Sequence, residues 1–95
     1  MDVKSAVARA IAFLHEVYGE ADLPGLRLEE VELSEDGALW HITLSFLAEV
    51  PPEERSRLDM VLDDIKPKPA ARQYKILSVS SSTGKVHSMK IRVPA

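Results

Sequence analysis

The stretch Ala38 to Leu47 alternates without a break. Ala38, Trp40, Ile42, Leu44 and Phe46 fall on one side of an extended chain; Leu39, His41, Thr43, Ser45 and Leu47 fall on the other. A period of two fits a strand and no helix. It demands a sheet with one apolar face, and something apolar to cover that face. The first segment supplies it. Val3, Ala6, Val7, Ala10, Phe13, Leu14 and Val17 recur at three- and four-residue spacings, the stripe of an amphipathic helix. Asp2 is placed to cap its start and Gly19 to stop it, with Pro24-Gly25 closing the connection. Alanine at 6, 8, 10 and 12 lets such a helix approach a flat sheet closely.

The other strands are read from the same alternation. Leu26 to Ser34 precedes the turn Glu35-Asp36-Gly37, and its apolar parity shifts from Leu26/Leu28 to Val31/Leu33. That slip predicts a bulge near Glu29-Glu30, or a strand that begins only there. Pro51-Pro52 ends the long strand. Leu58, Val61, Leu62 and Ile65 then return to helical spacing, and Lys66-Pro67-Lys68-Pro69 reads as an extended linker. Residues 48–70 are therefore expected to be an inserted helix and linker. Tyr74, Ile76, Leu77 and Val79 mark another strand, again with a parity shift. Ser81 to Gly84 form a turn, and Val86, Met89, Ile91 and Val93 mark the return. The expected fold class is α+β, one domain spanning 1–95: an N-terminal helix packed on a four-stranded antiparallel sheet, in the order α-β-β-(short α)-β-β.

Charge is divided along the chain. All 15 carboxylates lie in residues 1–64, against Lys4, Arg9, Arg27, Arg55 and Arg57. From Ile65 onward there are only cations: Lys66, Lys68, Arg72, Lys75, Lys85, Lys90 and Arg92. A net charge of −3 thus conceals about −10 on the first part and about +7 on the second. The basic part has a single aromatic residue, Tyr74, which gives little for base stacking, and the chain as a whole is acidic. Nucleic acid is not an expected partner. The expectation is that the basic hairpin lies beside the acidic one and opposite charges meet across strands, or that they meet between subunits.

Catalytic and metal chemistry find little support. The chain has no cysteine, which removes disulfides, Cys-ligated zinc and a thiol nucleophile. His15, His41 and His87 have no metal-ligand spacing, although His41 and His87 could meet on one sheet face. Ser45, His41 and a carboxylate can be written as a triad, but no nucleophile elbow of the Gly-x-Ser-x-Gly type exists. Glu29-Glu30, Glu53-Glu54 and Asp63-Asp64 read as solvated faces, and the four glycines are isolated turn residues. No catalytic residue, metal or cofactor is expected. The N-terminal apolar run, Ala10 to Leu14, is too short for a signal or a membrane span, so the expectation is a cytoplasmic protein without membrane association.

Three stretches carry a family resemblance: the Ala-rich opening helix Val3 to Tyr18, the charged turn and strand Val31-Glu-Leu-Ser-Glu-Asp-Gly-Ala-Leu-Trp-His-Ile-Thr-Leu44, and Tyr74-Lys-Ile-Leu-Ser-Val-Ser-Ser-Ser-Thr-Gly-Lys-Val86. In these the chain resembles PepSY-type modules and their cystatin-like relatives. Such modules usually place an aspartate before the last turn, where Ser80 or Ser81 stands here. The resemblance implies a non-catalytic fold associated with protein binding or protease inhibition, and it transfers no active-site residue.

A single helix covers one face of a sheet, so the second face is the place to look for function. Leu39 and Leu47, with Leu77 or Val79, are expected to form an apolar patch there unless the face is polar or otherwise covered. The candidate binding residues are Leu39, His41 and Leu47 on that face, with Lys75, His87, Lys90 and Arg92 of the basic hairpin. The expected function is binding of a protein or peptide, inhibitory or regulatory in kind, with homodimerisation as one mode. The competing reading is a small-molecule or enzymatic site between helix and sheet.

Overall fold

A computed structural model of the chain describes residues 1–19, 23–49 and 70–93. Helix α1 is Val3–Tyr18, and the strands are β1 (Arg27–Leu33), β2 (Leu39–Glu49), β3 (Ala70–Ser80) and β4 (Val86–Arg92). The four strands form one antiparallel sheet in the order β1-β2-β3-β4, with α1 on one face. The fold is therefore α+β. The helix expected at 53–65 and the linker at 66–69 lie outside the described residues. Glu49 pairs with Ala70 at the end of the β2–β3 ladder.

The helix begins and ends as its sequence dictates. The Asp2 carboxylate accepts from the Ser5 amide at 2.9 Å, and this bond holds the Asp2 carboxyl below its usual range. At the other end Gly19 takes φ 90°, and its N–H donates to the His15 carbonyl at 2.8 Å. The buried stripe is narrower than the full periodic set. Ala6, Ala10 and Leu14 are completely buried, whereas Val3 and Val17 are exposed. Two of the three contact positions are alanine, which brings the helix backbone close to the strands. Ile42, Leu44 and Phe46 of β2 and Leu77 and Val79 of β3 complete the core with Leu23. The Tyr18 ring meets Phe46 with centroids 5.3 Å apart, and the Trp40 Nε1–H donates to the Met1 carbonyl at 3.3 Å. These two contacts lay α1 along β2 from Trp40 to Phe46. Trp40 is half-buried and packs at the margin of the core.

The pairing of β2 with β3 is unbroken over its whole length, from Leu39↔Ser80 to Glu49↔Ala70. Residues opposite one another share a face. Leu77 and Val79 therefore stand with Ile42 and Trp40 beneath the helix, and Ile76, Ser78 and Ser80 stand on the outer face with Thr43, His41 and Leu39. This corrects two expectations. No parity shift exists within β3: Ile76 simply faces outward, and neither Leu77 nor Val79 joins Leu39 and Leu47 on the outer face. The irregularity lies in β4, where Ser78 pairs with Ser88 but Val79 pairs with Val86, leaving His87 as the extra residue of a bulge. The other bulge is where the sequence placed it, between Leu28 and Glu30 of β1.

The facing of β3 is testable by truncation. Leu77→Ala should cost about 2–5 kcal/mol of unfolding free energy in urea titrations, because it opens a cavity in a dry core. Ile76→Ala should cost about 1 kcal/mol or less, since its side chain is on the face that no described residue covers. Equal losses for the two would contradict this register.

A charged trough on the outer face

The outer face is built in rows across the sheet. Glu30, Thr43, Ile76 and Lys90 form one row. Arg27, Ser45, Tyr74 and Arg92 form the next, and Glu32, His41, Ser78 and Ser88 the one on the other side. The middle of the face is lined with hydroxyls. The four buried polar residues among the described ones, Thr43, Ser45, Ser78 and Ser80, all lie on it. Short side chains there are shielded by longer neighbours, with no second layer of described residues above them. The face is thus polar rather than apolar.

Charge is carried by the two sheet edges. Glu30 and Glu32 stand on β1, Lys90 and Arg92 on β4, with two strands between them. The basic hairpin lies beside the acidic one, β3 against β2, as expected, but the strands that carry these charges, β1 and β4, are not neighbours. The charges meet instead over the face. An Arg92 guanidinium N–H donates to Glu30 Oε2 at 2.6 Å, arching across β2 and β3. Beneath and beside this pair lies a trough of about 370 Å³ lined by Glu30, Glu32, His41, Thr43, Ile76, Ser78, Lys90 and Arg92. In its floor His41 Nδ1 lies 2.9 Å from Ser78 Oγ, directly across the β2–β3 ladder.

Below the trough a second polar network ties the sheet together. The Ser45 hydroxyl donates to Glu29 Oε2 at 2.6 Å and accepts from Arg72 Nη1 at 2.9 Å. The same guanidinium nitrogen donates to the Gly25 carbonyl at 2.7 Å, and Arg27 Nε donates to Glu29 at 2.6 Å. The Ser45 bond, then the Arg27 bond, hold the Glu29 carboxyl below its usual range, while Glu29 raises Arg27. The β1 bulge makes this possible, because Glu29 is the extra residue it inserts between the pairs Leu28↔Leu44 and Glu30↔Thr43. Gly25 fits only as glycine: its φ is +67°, and an added Cβ would lie 3.1 Å from Arg72 Nη2 and 3.2 Å from Leu47 Cγ. At the opposite end Asp36 in the β1–β2 turn accepts from Ser34 at 2.7 Å and from the Ala38 amide at 2.9 Å, which lowers its carboxyl likewise.

The structure gathers part of the candidate set. His41, Lys90 and Arg92 line the trough. Leu39 and Leu47 also face outward, but at the two ends, opposite Ser80 and Arg72. Lys75 points to the helix side, in register with Leu44 and Ile91. His87 sits exposed in the β4 bulge, away from His41. Ser45 engages Glu29 and His41 engages Ser78, so no Ser45–His41 couple forms. No cluster of three or more His, Asp or Glu suited to a metal occurs among the described residues. Glu30, Glu32, Ile76 and Ser78 were not singled out from the sequence. The odd-numbered residues of β2 point to this face, but only the strand order reveals which residues share it. No helix of the described residues is long and apolar enough to cross a membrane. No family model, curated protein or solved structure matches the chain.

Two effects follow from these carboxylate contacts. Glu29 and Asp36 have folded-state values below their unfolded ones, so both stabilise the fold above ordinary carboxylate pKa values near 4, and that contribution is lost as pH falls through the lowered ones. Ser45→Ala should raise the Glu29 pKa toward the ordinary value, read by carboxyl-carbon NMR titration. An unchanged Glu29 titration would remove the hydroxyl as its cause.

Proposed function

We propose that the chain is a non-catalytic binding module that takes a protein or peptide partner on the outer face of its sheet, which no described residue covers. The observation that carries this reading is the trough itself: an open, concave surface with carboxylates on one wall, cations on the other and hydrogen-bonding hydroxyls and His41 in its floor. Such a surface offers an extended partner both signs of charge and both donors and acceptors along one line. The space between helix and sheet supports the competing small-molecule reading less well. It is filled by Ala6, Ala10, Leu14, Ile42, Leu44, Leu77 and Val79, each fully buried and none polar. Kinship with PepSY-type modules is kept as part of the proposal. What supports it is a helix followed by antiparallel strands, with the Thr83-Gly84-Lys85-Val86 stretch turning into the last of them.

Selection of a displayed random-peptide library against the immobilised chain tests this. Enriched peptides should lose at least about tenfold in affinity, about 1.4 kcal/mol, on Lys90→Glu or Glu32→Lys. They should be unaffected by Lys4→Glu on the exposed side of α1. Failure to enrich any peptide, or peptides indifferent to both trough variants, would contradict the reading.

A further inference from the structure

We infer that the partner this face fits is a second copy of the chain, docked face to face about a two-fold axis parallel to the strands. The inference rests on the binding reading above and names its partner. Its basis is the lateral division of charge: on the outer face Glu30 and Glu32 belong to the β1 edge, Lys90 and Arg92 to the β4 edge. Two sheets stacked on such faces can be related by a two-fold axis along the strands or across them. An axis across the strands lays each edge over its own copy, Glu30 against Glu30 and Lys90 against Lys90. An axis along the strands lays β1 of each copy over β4 of the other. Row by row, Glu30 of each copy then stands over Lys90 of its mate, twice per dimer, with Glu32 over Ser88 and Arg92 over Arg27. Arg27, the outward cation on β1, is already held by Glu29 at 2.6 Å.

Edge contacts satisfy the charges less well. A two-fold contact of β1 with β1 collects Glu30 and Glu32 of both copies, and one of β4 with β4 collects Lys90 and Arg92. Addition of β1 to β4 matches charge, but it is head-to-tail and leaves a free edge at each end, so it extends without closing. Only the face-to-face arrangement is both charge-matched and closed at two copies. The Arg92–Glu30 bond is exposed at both ends, with side chains 40% and 50% accessible. Exchanging it for the same pair between copies therefore has a small energetic barrier. Four strands about 4.8 Å apart and about 30 Å long present roughly 600 Å² per copy, near the lower end of specific interfaces. The floor is polar, so the contact should be hydrated, reversible and weakened by salt.

Sedimentation velocity on the full chain at low salt tests the pairing. The wild type should reach the mass of a dimer and shift toward monomer as salt is raised. Glu30→Lys with Glu32→Lys should give a monomer, as should Lys90→Glu with Arg92→Glu, each with a wild-type circular dichroism spectrum. An equimolar mixture of these two variants should recover dimer mass, because the contacts between the Glu30 and Lys90 positions are again between opposite charges. A mixture that stays monomeric, or swaps that leave the wild-type dimer intact, would overturn the pairing. So would a mass that grows past two copies, which marks edge addition of β1 to β4. A wild-type chain that remains monomeric yet keeps trough-dependent peptide binding overturns the two-fold pairing alone. Absence of both overturns the binding reading with it.

Discussion

The unbroken register between β2 and β3 is the constraint on which the rest of the molecule depends. Eleven consecutive pairs, from Leu39↔Ser80 to Glu49↔Ala70, set which side chains meet the helix and which meet solvent. Because the side-chain period is two, a slip of one residue would invert every assignment on β3. Leu77 and Val79 would leave the core, and Ile76, Ser78 and Ser80 would enter it, three hydroxyl or misfitted groups against Ile42 and Leu44. Burial of apolar side chains in a small core therefore chooses the register, and the register in turn builds the hydroxyl floor on the opposite face.

The second consequence concerns charge. A chain with its carboxylates early and its cations late can place them side by side or far apart, depending only on strand order. The sequential order β1-β2-β3-β4 puts the acidic and basic strands at opposite edges. The sheet thus acquires a charge gradient across its width, closed over the top, among the described residues, by an exposed ion pair, Arg92 to Glu30. An exposed pair of this kind contributes little to stability, under about 1 kcal/mol. For the binding proposed above, what counts is that the arrangement has a direction, which a partner can match in one orientation and not in the other.

The sequence made the secondary elements and the helix-facing side of β2 legible, because Trp40, Ile42, Leu44 and Phe46 alternate without interruption and the glycines at 19, 37 and 84 adopt the positive φ that turns and helix ends favour. It also revealed the β1 bulge, since Leu28 and Val31 cannot share a face without one. The facing of β3 was harder. Ile76 and Leu77 are adjacent and both apolar, so periodicity cannot say which points inward; only the pairing with Ile42 and Thr43 decides. The candidate site was legible in part. His41 follows from β2 alone, and Lys90 and Arg92 from the basic hairpin. Glu30, Glu32 and Ser78 required the strand order, which is a long-range property. Lys75 looked equivalent to Lys90 in composition, yet it faces the other side of the sheet. The helix stripe was read too wide, because Val3 and Val17 fit the period but are exposed.

Cross-strand proton contacts measured by NMR on the folded chain test this register most directly. Short contacts between backbone Hα protons should join the non-hydrogen-bonded pairs of the ladder, His41 with Ser78, Thr43 with Ile76 and Ser45 with Tyr74. Contacts that instead join Ile42 to Ile76 or to Ser78 would shift the ladder by one residue. They would move the hydroxyl floor and Ile76 beneath the helix and remove the charged trough as a surface on which anything could dock.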